Sequence, residues 1–98
     1  MKGLLVSPAA QADLIGIWEY TAERWSPEQA DHYIRSFDEA FGDLAAGRKT
    51  GRDVPDIREG YFRLAVGSHF VFYRVASDFV DIIRVLHQRM DIPERLLR

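Results

Sequence analysis

Two Ser-Pro dipeptides, Ser7-Pro8 and Ser26-Pro27, divide this chain before anything else is known about it. Each reads as a helix start. The serine hydroxyl can accept from the free N–H groups of a first turn, and proline fits the first helical position because its missing donor has no partner there anyway. Behind the first signal, Ala10, Leu14, Ile17, Trp18, Thr21 and Trp25 recur on one helical face. Behind the second, Ala30, Tyr33, Ile34, Phe37, Phe41 and Leu44 do the same, Gln29 stands where a capping box would close, and Gly47 is a C-terminal stop. Two amphipathic helices with almost no linker between them must fold back as an αα-hairpin.

The period then changes. Residues 47–60 read as an irregular connection, with Gly47, Gly51, Pro55 and Gly60 among charges. Tyr61 to Val66, His69 to Val75 and Phe79 to His87 are rich in aromatic and β-branched residues. Gly67-Ser68 suits a two-residue type II′ hairpin turn, and Ser77-Asp78 makes the next turn. The apolar opening, Gly3 to Val6, adds an edge or inserted strand. The expected fold is therefore α+β: an N-terminal strand, an αα-hairpin, then an antiparallel three-stranded meander, forming one sheet packed on the helices. With 98 residues the chain is expected to form a single domain over 1–98. Residues 89–98 form a short tail in which Asp91-Ile92-Pro93-Glu94 could cap a last helical turn.

Composition narrows the chemistry. There is no cysteine, which excludes disulfides, thiolate catalysis and Cys-ligated metals and fits a reducing cytoplasm. The longest apolar run, Phe70 to Tyr73, is too short to cross a membrane, and the N-terminus lacks the apolar stretch of a signal peptide. The net charge of −2 conceals a division, with residues 1–47 acidic overall and the rest basic. Eleven of the thirteen basic residues are Arg, a side chain suited to bidentate contacts and aromatic faces.

The two turns fix a trial register, which sorts side chains by period two. One face receives Phe62, Leu64, Val66, His69, Val71, Tyr73, Val75, Val80, Ile82, Arg84 and Leu86, the seat for the helices. Arg84 is its anomaly: either it snorkels past the helices or the register slips by one there. The opposite face receives Tyr61, Arg63, Ala65, Phe70, Phe72, Arg74, Asp81, Ile83, Val85, His87 and, at its end, Arg89. Arg74 lies opposite Asp81, a cross-strand ion pair. An apolar set of this size on the uncovered face marks a partner surface unless a loop or the tail covers it.

No catalytic motif is present: no P-loop, no G-x-G-x-x-G, no G-x-S-x-G and no H-E-x-x-H. Ser7 and Ser26 are caps rather than nucleophiles. His32 reads as solvated and His69 as structural, whereas His87, at the end of the last strand beside Arg89, has the position for a general acid or base. No carboxylates are spaced to join the histidines around a metal, so neither metal nor cofactor is expected. Trp18 and Trp25 read as core, and the acids of the first half, Asp13 included, as decoration of solvated helix faces. Those acids also argue against a DNA-recognition helix, which needs cations.

Certain segments carry a family resemblance. Ser7-Pro8-Ala9-Ala10-Gln11-Ala12-Asp13-Leu14, Ile17-Trp18-Glu19-Tyr20 and Arg24-Trp25-Ser26-Pro27-Glu28-Gln29-Ala30 resemble the helical hairpin of the ParE branch of the RelE/ParE toxins. His69-Phe70-Val71-Phe72-Tyr73-Arg74-Val75 and Ile82-Ile83-Arg84-Val85-Leu86-His87-Gln88-Arg89-Met90-Asp91 resemble its closing strands. The resemblance implies the toxin of a type II toxin–antitoxin system in the cytoplasm. Such a toxin is neutralised by a ParD-like antitoxin, in a heterodimer or heterotetramer, and inhibits DNA gyrase without a catalytic set of its own. The antitoxin is expected on Tyr61, Arg63, Phe70, Phe72, Arg74, Ile83, Val85, His87 and Arg89. RelE-type members are instead ribosome-dependent mRNA endonucleases. One of their key arginines falls on Phe70 here, no Tyr follows Tyr73, and an enzyme reading would rest on Arg63, Arg74, His87 and Arg89. A non-toxic antitoxin-binding module is the remaining alternative.

Overall fold

The computed structural model describes residues 1–90 and Ile92. Their order is β1 (Gly3–Val6), α1 (Pro8–Arg24), α2 (Pro27–Ala46), β2 (Arg52–Asp53), β3 (Phe62–Val66), β4 (His69–Val75) and β5 (Phe79–His87). Both caps form as the sequence predicts: Ser7 Oγ accepts from the Ala10 N–H at 3.0 Å and Ser26 Oγ from the Gln29 N–H at 3.1 Å. Gly47 ends α2 in the left-handed region with φ 76°, its N–H turned back to the last carbonyls.

The strands form one five-stranded sheet in the order β1-β5-β4-β3-β2. The three-stranded meander is present, but the sheet is mixed rather than purely antiparallel, because β1 joins β5 in parallel. The 47–60 connection is less irregular than its composition suggests, since Arg52 and Asp53 pair with Arg63 and Phe62. The Gly67-Ser68 turn forms with Val66 opposite His69, Gly67 at φ 56° and no non-glycine residue at positive φ, which is the type II′ pattern. A side chain at Gly67 would also strike the Tyr33 ring at 2.6 Å. The helical turn expected over 91–94 lies outside the described residues except for Ile92, which is helical and buried.

One irregularity decides the faces. The pairing of β4 with β5 follows the trial register from Val75–Val80 through Arg74–Asp81 to Tyr73–Ile82, then shifts, so that Phe72 opposes Arg84 and His69 opposes His87. The shift is a β-bulge, one extra residue on β5. It falls where β1 runs out: beyond Val6, Ser7 still bonds the Ile82 and Ile83 carbonyls, and after that the β5 edge has no neighbour. The bulge decides the alternative left open at Arg84, which now opposes Phe72 because the register slips by one there, and it overturns three further assignments made from period two. Val85 and His87 turn to the helix side, and Leu86 turns away from it.

The helix side holds the main core, with Phe37, Phe41, Leu44, Val71, Tyr73 and Ile82 among its buried residues and Tyr33, Phe62 and Leu64 packed against it. The far side is not bare. Val54, Tyr61, Phe72, Leu86 and Ile92 form a second buried cluster, with Ile57, Phe70 and Ile83 against it. The 54–61 turn, closed by the Val54 N–H to the Tyr61 carbonyl at 2.9 Å, folds over this part of the sheet. Much of the apolar set expected to await a partner is thus covered by the chain itself. Among the described residues, no helix is long and apolar enough to cross a membrane.

Candidate functional site

The helical hairpin and the bulged strand leave a cleft between them. It has a volume of about 970 Å³ and is lined by Asp13, Ile17 and Tyr20 of α1, Trp25 at the bend, Tyr33 of α2, and His69, Val85 and His87 of the sheet. Its rim is apolar and open: Tyr20 is 63% exposed, Trp25 72% and Met90 44%. The expectation that Trp25 belongs to the core is therefore wrong. Trp25 caps α1 outside helical geometry, at φ −122° and ψ −83°, one residue past the end of the helix, where the period that put it on the buried stripe no longer holds. Trp18 is half-buried, and its indole N–H donates to Asp31 on α2 at 2.8 Å, fastening the hairpin.

Asp13 organises one wall. Its carboxylate takes a forked pair from Arg84, Nε at 2.7 Å and Nη2 at 2.8 Å, and accepts the Val85 N–H at 2.9 Å. The third bond replaces the neighbour that β5 loses when β1 ends, so an exposed strand edge is closed by a side chain. Arg84 is then no anomaly. The Asp13 hydrogen bonds, opposed by burial, raise its pKa further above the ordinary arginine value. The sequence reading missed Asp13 by counting it as surface decoration. Its signal was available: it stands three residues after Ala10 and four before Ile17, on the buried stripe, and opposite it the sheet offers a lone Arg on an apolar face.

The other wall is an imidazole pair. His69 and His87 are directly opposite on β4 and β5, and their rings meet edge to face with centroids 5.2 Å apart. The Tyr33 hydroxyl lies 2.7 Å from His69 Nδ1 and accepts the Ser68 N–H at 3.1 Å, so α2 holds the hairpin turn in place. His87 Nδ1 accepts the Arg89 N–H at 3.1 Å. Burial, then the neighbouring His87, push His69 down from 6.5 to about 4, with Asp13 opposing. At neutral pH His69 is an uncharged base. Among the described residues, no three His, Cys, Asp or Glu side chains converge where a metal ion could sit.

The residues assigned to partner binding thus divide. Val85 and His87 line the cleft. Phe72 is buried beneath the 54–61 turn, and Tyr61, the turn's last residue, is buried against it. Arg63, Phe70, Arg74 and Ile83 remain on the far side, where Arg74 meets Asp81 at 3.2 Å as expected. Arg89 is exposed in the turn after β5.

Comparison with known proteins places this geometry. The family model described as "ParE toxin of type II toxin-antitoxin system, parDE" matches residues 4–92. The chain is 47% identical over 93 residues to "Toxin ParE1" of Mycobacterium tuberculosis (strain ATCC 25618 / H37Rv), covering 94% of this chain and 95% of that one. It is 45% identical over 91 residues to "Toxin ParE1" of Caulobacter vibrioides, covering 93% and 94%. A chain in the solved structure "Chromosomal ParDE TA system from P. aeruginosa" superposes with a TM-score of 0.74 at 25% identity, covering 89% of this chain and 96% of that one.

Proposed function

The chain belongs to the ParE toxin family of type II toxin–antitoxin systems, and from that premise we propose that it is held inactive by a ParD-like antitoxin seated in the cleft and that, when free, it inhibits DNA gyrase. The observation that carries the antitoxin seat is the open apolar rim of Tyr20, Trp25 and Met90 around a cleft of about 970 Å³. Large exposed aromatics around a concavity are where binding energy concentrates. An amphipathic segment, disordered when alone, can wrap such a surface and remain open to proteolysis when released. Val85 and His87 form the floor that such a segment would meet.

The gyrase reading is supported by membership of the ParE branch. Two side-chain features of the sheet agree with a binding toxin. Phe70 stands where RelE-type nucleases carry a key arginine, and His69 is neutral and tied to Tyr33.

The deciding experiment titrates the purified chain into gyrase supercoiling and DNA-cleavage assays, with and without the neighbouring antitoxin. Inhibition with trapped cleaved DNA, reversed by the antitoxin, is the expected result. Cutting of ribosome-bound mRNA by the purified chain would overturn it. For the seat, Trp25→Ala should weaken antitoxin binding by about 2 kcal/mol, roughly thirtyfold, the scale of a buried aromatic anchor. Its melting temperature should stay unchanged, since the indole is mostly solvated in the free chain.

A further inference from the structure

More than half of the acids lie on the helical layer, and a group of arginines stands on the opposite side of the sheet. Residues 8–46, the helical layer, hold eight acids against Arg24 and Arg35. On the far side of the sheet stand Arg52 and Arg63, directly opposite on β2 and β3. Paired residues share a face, and the Arg63 guanidinium fixes which face this is, because it lies 4.3 Å from the centre of the Phe70 ring. Arg58 in the adjoining turn lies 5.6 Å from the Tyr61 ring on the same side. Asp53 pairs with Phe62 and so belongs to the other face. Among the described residues, no ion pair involves Arg52, Arg58 or Arg63.

Like charges directly opposite across a strand pair destabilise it. Here that arrangement sits on a two-residue strand that contributes little else. Stacking on aromatic rings holds the guanidinium groups of Arg58 and Arg63 in place, so less freedom is lost when their N–H edges meet a partner. We propose that this face is a contact surface for the DNA phosphate backbone, engaged without sequence preference through Arg52, Arg58 and Arg63.

Phosphate accepts the arginine fork bidentately. The face is a sheet surface rather than a groove that could enclose a peptide. The outer plane of the Arg63–Phe70 stack is a platform on which an unpaired base can lie. An overall charge of −2 does not oppose this, because eight of the fifteen acids lie on the helical layer and Asp81 is paired with Arg74, although Asp56 and Glu59 stand in the turn beside Arg58. The inference rests on the gyrase reading for its setting: a toxin acting on gyrase meets DNA there.

The test is fluorescence anisotropy with a labelled 20-nucleotide single-stranded DNA, the matching RNA and a polyglutamate peptide, across a salt series. The wild-type chain should bind the DNA, with log K falling against log salt at a slope of about −2, as for three phosphate contacts on a single strand. The double variant Arg52→Gln, Arg63→Gln should bind at least tenfold more weakly, with the slope reduced by about 1.4. Arg35→Gln on α2 should bind as wild type. The double variant should melt at or above the wild-type temperature, because a like-charge pair is gone, so weaker binding cannot be ascribed to unfolding. Equal binding by wild type and double variant would overturn the proposal. So would tighter binding of polyglutamate or RNA than of DNA, or no DNA binding at low salt. In the gyrase assay, inhibition at full strength by a double variant that also keeps its DNA affinity removes this inference and leaves the gyrase reading. Arginine-dependent DNA binding without any effect on gyrase does the reverse.

Discussion

The two faces of the sheet bury similar side chains by different means. On one side, a pair of helices of 17 and 20 residues supplies a cover whose every turn is set by period, cap and stop. On the other, a single turn over 54–61 and Ile92 cover Phe72 and Leu86. The first cover is cooperative: its pieces hydrogen-bond internally and pack as whole ridges. The second hangs on a few contacts, among them the Val54–Tyr61 backbone bond. The same sheet therefore has one side that specifies the fold and another that can yield locally.

Substituting one phenylalanine on each side tests that difference most sharply. Phe37 and Phe72 are both fully buried. Phe37→Ala removes a ring from the middle of the helix-covered core, where neighbours cannot close the gap, and should destabilise by about 4 kcal/mol. Phe72→Ala should lose nearer 3 kcal/mol, because the 54–61 turn can sink into the space. Urea denaturation gives both values. Hydrogen exchange should show the Phe72 variant opening first around Val54 and Tyr61, with α1 and α2 still protected. Equal losses, with exchange spread evenly, would mean that the two covers are one cooperative unit.

Asp13 is the point at which the helix side depends on a polar contact. Asp13→Ala removes the forked bond to the Arg84 guanidinium, which is 24% exposed, and the acceptor of the Val85 N–H. A loss of about 2–3 kcal/mol is expected, at the low end for breaking a buried pair because this one is partly solvated. Asp13→Asn keeps an acceptor for Val85 and should lose less. If the two variants are equally unstable, the charge is what matters and the strand-edge cap contributes little.

How far the sequence discloses these two sides follows from the range of the signals. Helix bounds, the Gly67 turn and the Arg74–Asp81 pair depend on neighbours in sequence and are legible there. The β5 bulge is not, because it depends on where the parallel partner β1 ends, some seventy positions away in the chain. One residue of shift then carries Val85, Leu86 and His87 to the wrong faces, as period two requires. The cover over Phe72 is equally hidden, since Val54, Ile57 and Tyr61 sit in a stretch dominated by Gly, Pro and charge. Of the candidate site, the aromatics and histidines can be picked out by type, but their meeting in one cleft cannot. Arg84 alone announces the problem from the sequence.

The imidazole pair offers a smaller test with a defined sign. His69 titrates near 4 in the folded chain and near 6.5 when unfolded. Below 6.5 the unfolded state therefore binds the extra proton and the folded state does not, so stability falls as pH drops from 6.5 towards 4 and is flat above. With the ring about half-buried, the effect should be on the order of 1 kcal/mol. Urea midpoints for the wild type and His69→Gln across that window would isolate it. An unchanged pH slope in the variant would assign the dependence to other groups.

The smallest effect belongs to the far side. Arg74 and Asp81 meet at 3.2 Å, but the Arg74 side chain is 56% exposed, so solvent screens the pair and holding it ordered offsets much of the attraction. Arg74→Ala should change stability by less than about 0.5 kcal/mol. This pair was readable from the alternation of the strands alone, whereas Asp13–Arg84, which was not, should matter several times more. The contrast has one cause. Arg74 and Asp81 face each other across adjacent strands close in sequence, where geometry is predictable and water is near. Asp13 and Arg84 come together only after the helices have packed, and that packing excludes the water that would weaken them. A loss above 1 kcal/mol for Arg74→Ala would show that the far side relies on its surface charges for more than contact with a partner.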